Sequence, residues 1–144
     1  MGCGSGILSI ASARLWPRSK ILALDIDSDA VATTRENIKL NRVKRQIDCN
    51  RNDGYPKDSP NRKTKFDMIV ANILAGPLCD MAYDSSRWVN KGGFVILSGL
   101  LIPQERYVLG AFRSCGLRLF RRQHISGWST IILQKPSIRK SAIL

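Results

Sequence analysis

The alternation of short apolar runs with amphipathic stretches is the feature that most constrains the fold of this chain. Short apolar runs indicate buried strands, and apolar residues at helical spacing indicate helices that cover them. This order favours an α/β fold with a mostly parallel sheet. The last two runs are joined only by the turn-like Ser126-Gly127, so we expect them to pair antiparallel. The predicted strands are Ile21–Leu24, Gln46–Cys49, Phe66–Ala71, Phe94–Ser98, Leu117–Arg121 and Trp128–Leu133.

Four segments are predicted to be helical, and turn or capping residues bound several of them. Pro17 ends the first helix and Gly116 follows the last one. Ser28 or Asp29 can cap the second helix. Of the two acids before them, Asp27 is better placed than Asp25 to be a cap. The predicted helices are Ile7–Leu15, a segment from Ser28 or Asp29 to about Leu40, Leu78–Val89 and Pro103–Ser114, with a loop at 50–65 and a turn at 91–93.

Composition argues against several classes of protein. Apolar residues make up 44% of the chain and charged residues 24%, as in ordinary globular domains. The apolar runs are far shorter than the roughly 20 residues needed to cross a bilayer, so we expect a cytoplasmic chain. The four cysteines form no C-x-x-C pair, and with one histidine neither a zinc site nor a disulfide framework is predicted. Cys3 has no histidine nearby in sequence to activate it, which favours a structural thiol.

The chain is strongly basic, with 23 Lys and Arg residues against 11 Asp and Glu residues and a formal charge of +12. A charge of this size favours a polyanionic partner such as nucleic acid or a ribonucleoprotein. A solvated basic face is equally compatible with the sequence. The positive residues concerned lie mainly in 42–51, 62–65, 118–122 and 135–140.

Three alternate glycines, Gly2, Gly4 and Gly6, precede the first predicted helix. Glycines at this spacing allow a tight turn and let the backbone approach a ligand that a Cβ would exclude. Asp25 ends the next strand, about 20 residues later, where a carboxylate can accept hydrogen bonds from both hydroxyls of a ribose. The loop and the acid together form the minimal site for a nucleoside.

Two further polar residues follow predicted strands. Asn72 follows Phe66–Ala71, at the edge where open α/β sheets bind ligands, and its amide suits holding an amino nucleophile. Asp53 follows the strand before it and could accept a hydrogen bond from an adenine amino group. Each has a structural alternative: Asn72 could cap a turn, Asp53 could belong to an Asp-Gly turn, and Asp25 could be a capping or solvated acid.

Four stretches of the chain carry a resemblance to a known family. They are Gly2–Ala11 (GCGSGILSIA), Leu24–Asp27 (LDID), Ala71–Leu78 (ANILAGPL) and Leu97–Leu101 (LSGLL). In this order they resemble the ribosomal protein L11 methyltransferase family, and the resemblance extends through about Leu133. Glycine loops are common to all such methyltransferases, whereas the NILAGPL stretch is specific to this family.

The resemblance implies a Rossmann-like class I methyltransferase fold, with S-adenosylmethionine as the methyl donor. The implied acceptors are amino groups of a large-subunit ribosomal protein, namely lysine side chains and the N-terminal amine. The family pattern places Gly2 against the cofactor, Asp25 at its ribose, and Asn72 between the cofactor and the acceptor amine. Gly4, Gly6 and Asp53, which the sequence itself suggests, complete with Gly2, Asp25 and Asn72 the expected cofactor-binding set, and no metal is expected.

The resemblance also implies parts that this sequence does not contain. The family has a strand and an acidic residue directly before the glycine loop, an upstream threonine-containing loop, and a separate N-terminal domain that grips the ribosomal protein. We therefore expect the first strand of the sheet to be truncated, and weak or no methyl transfer by this chain alone. Residues 1–135 are expected to form the cofactor-binding domain of a monomer, and residues 136–144 a basic tail, with contact to ribosomal RNA through the basic surface left open.

Three other functions compete with this one. The first is a catalytically inactive remnant that still binds the cofactor. A nucleic-acid amino methyltransferase would hold a base amine at Asn72, but it usually has Pro and an aromatic residue next, where this chain has Ile73 and Leu74. A nicotinamide-dependent oxidoreductase is disfavoured because Ile7 replaces the third glycine of the fingerprint. The only candidate proton relay is His124, which is most simply a surface residue.

Overall fold

The computed structural model describes residues 1–56 and 64–137. The chain divides into two compact units, Met1–Lys57 and Asp58–Leu144. Parts of the predicted loop 50–65 and of the predicted tail 136–144 lie outside the described residues. The elements are α1 (Ile7–Leu15), β1 (Ile21–Asp25), α2 (Ser28–Leu40), β2 (Ile47–Arg51), β3 (Phe66–Asn72), α3 (Ala75–Asp80), α4 (Ala82–Trp88), β4 (Val89–Leu101), a 3-10 turn (Ile102–Gln104), α5 (Glu105–Ser114), β5 (Arg118–Ile125) and β6 (Trp128–Gln134).

The first unit packs α1 and α2 against two parallel strands, β1 and β2, whose last residues, Asp25 and Arg51, lie opposite each other. The side chain of Asp27 accepts a hydrogen bond from the backbone N–H of Asp29 at 2.9 Å. Asp27 is therefore the cap of α2, because its extended backbone lets the carboxylate reach a free helical N–H. Ser28 and Asp29 are the first residues of the helix and not its caps. The core consists of Ile10, Ala13, Ala23, Val31, Ile38, Ile47 and Cys49.

The second unit is built on a four-stranded sheet with the order β3-β4-β6-β5. β3 and β4 are parallel, whereas β6 pairs antiparallel with both β4 and β5. Ser126 and Gly127 both have positive φ, as a two-residue hairpin turn requires. The α/β class and the antiparallel C-terminal pair are thus confirmed. The core of this unit includes Val95, Leu97, Ile131 and Leu133 of the sheet with Val108 and Phe112 of α5.

The segment that was predicted as one helix, Leu78–Val89, forms two helices. α3 begins earlier, at Ala75, and ends at Asp80, and α4 begins at Ala82. Pro77 fits inside α3 because it lies in the first turn, where a backbone N–H has no helical partner to lose. The sequence prediction was wrong in treating this proline as the boundary.

The predicted turn at 91–93 lies inside β4, which spans Val89–Leu101. Its two glycines exchange backbone hydrogen bonds with Lys135, and the pairing with β3 shifts register at this point. A Cβ on Gly93 would lie only 2.8 Å from the carbonyl oxygen of Asp67. The glycines therefore allow a bulged strand to approach β3, which explains why a turn-like sequence is found in a strand.

Within residues 1–56 and 64–137, no helix is both long and apolar enough to cross a membrane. The same residues contain no group of three or more His, Cys, Asp or Glu side chains placed to hold a metal ion.

Candidate functional site

The glycine loop of the first unit depends on backbone conformations that other residues rarely adopt. Gly2, Gly4 and Gly6 have φ values of 64°, 52° and 83°. A Cβ on Gly4 would meet nothing within 4 Å, whereas a Cβ on Gly6 would lie 3.0 Å from Cγ2 of Thr34. The loop is therefore open at Gly4, where a ligand could approach the backbone, and closely packed on α2 at Gly6.

Asp25 is tied to this loop by its carboxylate. Its Oδ2 accepts a hydrogen bond from the backbone N–H of Gly4 at 2.9 Å, and its Oδ1 accepts one from Asp27 N–H at 3.1 Å. Each oxygen keeps acceptor capacity for a further donor. Asp25 is thus not a helix cap, since that position belongs to Asp27. Its carboxylate is held in a fixed orientation at the carboxyl end of β1.

Asp53 lies at the same edge of the first unit. It follows β2, and the neighbouring backbone N–H of Asn52 donates to the carbonyl oxygen of Asp25 at 2.9 Å. The Asp53 side chain is exposed, and Gly54 has a φ of 78°, as the turn interpretation expected. The structure therefore brings Asp25, Asp53 and the glycine loop together at one edge.

Two residues of α2 that the sequence prediction missed donate hydrogen bonds to backbone carbonyl oxygens of the glycine loop. Thr34 is fully buried, and its hydroxyl donates to the carbonyl oxygen of Gly4 at 2.8 Å. Asn37 donates from Nδ2 to the carbonyl oxygen of Ser5, also at 2.8 Å. The helical spacing of Thr34 with the buried Val31 and Ile38 was the available signal, because a polar residue inside an apolar stripe needs a partner.

The cysteines near the loop are structural. Sγ of Cys3 lies 3.3 Å from the Thr34 hydroxyl, and the side chain packs against the core of the first unit. Burial raises the pKa of the neighbouring Cys49 thiol to about 11, so that thiol stays protonated at neutral pH.

Asn72 lies in the second unit, at the carboxyl end of β3. It pairs in register with Ser98 of the parallel strand β4, and its Nδ2 donates to the Ser98 hydroxyl at 2.8 Å. Gly99 has a φ of 78°, and a Cβ there would lie 3.0 Å from the Ile73 carbonyl oxygen and 3.2 Å from Oδ1 of Asn72. Gly99 therefore leaves the amide oxygen uncrowded, and Ser98 orients the amide so that this oxygen can accept a hydrogen bond.

Comparison with known proteins adds a decisive observation. A sequence model of the family described as ribosomal protein L11 methyltransferase (PrmA) matches residues 1–136. The chain belongs to this family. Its predicted membership and its Rossmann-like methyltransferase fold are thereby confirmed.

Individual relatives agree with this assignment. Ribosomal protein L11 methyltransferases of Rhodopseudomonas palustris and Bradyrhizobium diazoefficiens are 38% and 40% identical over 135 residues, which are 94% of this chain and 45% of each relative. A crystal structure of ribosomal protein L11 methylase from Lactobacillus delbrueckii subsp. bulgaricus has a TM-score of 0.78 and 31% identity, over 94% of this chain and 67% of that one. A methyltransferase from Pyrococcus furiosus, at 17% identity and a TM-score of 0.76, shows the shared fold. This L11 methyltransferase family chain thus spans less than half the length of the curated relatives named here.

His124, which the sequence suggested was simply a surface residue, forms a hydrogen bond with a buried glutamate. Nε2 of His124 lies 2.5 Å from Oε2 of Glu105, an oxygen that also accepts a hydrogen bond from Ser129 Oγ at 2.8 Å. The hydrogen bond with His124 is the main cause that lowers the pKa of Glu105. His124 and Ser129 both bind the carboxylate of Glu105. Ser129 is therefore not paired with the imidazole as a base, as a serine nucleophile would be. The cluster instead fastens the β5–β6 hairpin to α5.

Proposed function

We propose that this chain carries the S-adenosylmethionine site and the methyl-transfer site of a ribosomal protein L11 methyltransferase. The proposed acceptors are amino groups of the large-subunit ribosomal protein, namely lysine side chains and the N-terminal amine. The hydrogen bond from Gly4 to Asp25 is the observation that carries the proposal, because it joins the open glycine loop to a fixed carboxylate. The proposal includes a cytoplasmic location and a monomeric state.

The residues of the first unit suit S-adenosylmethionine. We assign Asp25 to the ribose hydroxyls, since both of its oxygens are oriented and can still accept hydrogen bonds. The open backbone at Gly4, with Gly2 and Gly6 holding the turn, leaves room for a ligand at the loop. Asp53 is exposed beside Asp25 and can accept a hydrogen bond from the adenine amino group. When bound, the cofactor supplies a methyl group on a positively charged sulfur.

Asn72 is proposed to orient the acceptor amine. A neutral amine is the nucleophile, so an amide oxygen that accepts one of its hydrogens would direct the nitrogen lone pair. The Ser98 hydroxyl accepts a hydrogen bond from the amide nitrogen and so leaves the amide oxygen for the amine. No covalent intermediate on the protein is required. Orientation and exclusion of water supply most of the acceleration in such a reaction, so no dedicated base is assigned.

Methyl incorporation from radiolabelled S-adenosylmethionine tests the proposal and its two alternatives together. Ribosomal protein L11 and ribosomal RNA are offered as separate acceptors to the wild-type chain and to Asn72→Ala. We expect slow methyl incorporation into ribosomal protein L11. Asn72→Ala should lower its rate by about 10-fold or more, because the acceptor amine would no longer be oriented. Incorporation into RNA alone would favour a nucleic-acid amino methyltransferase. Cofactor binding without incorporation into either acceptor would favour the inactive remnant.

A further inference from the structure

The positive charge is concentrated toward the C-terminal end of the chain. Residues 101–144 contain eight Lys and Arg residues and a single acid, Glu105, so they supply +7 of the net +12. That acid is buried, and it is engaged by Arg122 Nη1 at 3.0 Å as well as by His124 and Ser129. The arginines exposed on this part of the surface therefore have no carboxylate from their own segment to offset them.

Two of these arginines line one open cleft of the second unit. The cleft has a volume of about 430 Å³, and Arg113 at the end of α5 and Arg118 at the start of β5 contribute to its wall. Both side chains are exposed, and neither has an ion-pair partner among the described residues. The other lining residues, Gly116, Leu117, Leu119 and Pro136, carry no charge. Such a cleft suits an anion that accepts several hydrogen bonds, and arginine forks match phosphate in this way.

One exposed aromatic residue, Phe120, directly follows the cleft residue Leu119 in the chain. β5 is an edge strand, and Arg118 and Arg121 pair with Gln134 and Ile132, two positions on the same face of β6. Phe120 lies between them, is 61% exposed, and contacts Phe94 edge-on at 5.2 Å between ring centroids.

Despite this contact, more than half of the Phe120 surface stays exposed to solvent. Trp128, at the far end of β6, is 54% exposed. Arginines combined with exposed aromatic rings are typical of surfaces that bind single-stranded nucleic acid.

We propose that the arginine cleft and the adjoining face of β5 bind single-stranded RNA. Arg113 and Arg118 contact backbone phosphates, and an unpaired base stacks on Phe120. An acidic peptide would match the charge but would leave the aromatic rings unused. The choice of RNA over DNA rests on the proposed function, which places the chain among ribosomal components, whereas the surface itself is independent of methyl transfer.

The first test measures fluorescence anisotropy of a labelled single-stranded RNA of about 20 nucleotides, long enough for such a surface. The whole 144-residue chain is used without cofactor, so the outcome does not depend on the methyltransferase assignment. Arg113→Gln with Arg118→Gln is compared with Arg18→Gln with Arg45→Gln, a pair of exposed arginines in the first unit with the same charge change. The cleft pair should weaken binding by about 10-fold and lower the slope of log affinity against log salt by about 1.4, for two lost phosphate contacts.

The second test separates base stacking from charge. Phe120→Leu should weaken RNA binding by about 10-fold without changing the salt slope, because stacking on an aromatic ring is lost and no charge is altered. Trp16→Leu, which removes an exposed ring of the first unit, should leave binding unchanged. Single-stranded DNA of the same sequence and polyglutamate serve as competitors, and both should compete less well than RNA.

Three results would overturn the proposal. These are no RNA binding by the folded chain, equal losses in the cleft pair and the control pair, or competition by polyglutamate as strong as by RNA. Melting curves of every variant establish whether it is folded at the temperature of the binding measurement. Stronger competition by DNA than by RNA would overturn the assignment to RNA.

Discussion

The glycine loop of the first unit and the Asn72 site of the second unit hold their polar groups in different ways. The loop is held by its backbone: Asp25 accepts from Gly4 N–H, and the buried Thr34 donates to the carbonyl oxygen of the same residue. Asn72 is exposed and oriented by one side-chain hydrogen bond with Ser98. Substitutions in the loop should therefore alter shape and stability together, whereas substitutions at Asn72 should alter chemistry alone.

Gly6→Ala should have the largest effect on stability. The residue would need a left-handed φ, and its Cβ would lie 3.0 Å from Thr34 Cγ2, so strain and overpacking both act. We expect a loss of about 3 kcal/mol in the free energy of unfolding, measured by urea titration. Gly4→Ala is the matched control, with a similar φ but open space, and should cost about 1 kcal/mol. Equal losses in the two variants would show that the loop is not packed on α2 as described.

Glu105→Gln tests whether the Glu105 side chain stabilises the second unit, in contrast to the side chain of Asn72 in the same unit. The pKa of Glu105 is lowered in the folded chain, chiefly by its hydrogen bond with His124. Its contribution to stability is therefore present above the pKa of an unfolded glutamate, and it is lost as pH falls through the lower folded value. Urea midpoints should decline at acidic pH, and Glu105→Gln should remove part of this decline and cost about 2 kcal/mol near neutral pH. An unchanged acid dependence would contradict this role.

Thr34→Val probes the support of the loop with little change in shape. It removes the hydrogen bond to Gly4 and should cost about 1 kcal/mol. Thr33→Val, at the neighbouring exposed position, should be nearly neutral. If the two variants unfold at the same urea concentration, the hydrogen bond from α2 does not stabilise the loop.

Asn72→Ala should have the smallest effect on stability, about 0.5 kcal/mol or less for an exposed side chain. Ser98→Ala should be similar, while both variants lower methyl transfer if the amide orients the acceptor. Rates are compared at saturating acceptor, with urea titration of the same samples. A loss of stability like that of Gly6→Ala would show that Asn72 is structural.

Local signals in the sequence predicted some of these features well. α1 was predicted at its observed bounds because Gly6 precedes it and Pro17 follows it. Asp27 was correctly preferred to Asp25 as the cap of α2, whereas naming Ser28 or Asp29 as its cap was wrong. In these cases neighbouring residues decide the conformation. The chemical roles of Asp25, Asp53 and Asn72 remain predictions, although the structure places each at the carboxyl end of a strand, as expected.

Features that depend on tertiary contacts were not predicted. Thr34 supports the glycine loop only because α2 packs against it, and Ser98 reaches Asn72 only because of the register between β3 and β4. The partnership of Glu105 with His124 likewise joins residues 19 positions apart. In the sequence alone, Thr34 is an ordinary helix position, Ser98 is the end of a predicted strand and His124 is a surface residue.

The most direct test of the central claim is calorimetric titration of the chain with S-adenosylhomocysteine, the demethylated form of the proposed cofactor. The wild type and Asp48→Ala, a control at an exposed aspartate of the same unit, should bind saturably, whereas Asp25→Ala should not. Binding by Asp25→Ala as tight as that of the wild type, or no binding by a folded wild-type chain, would contradict the account.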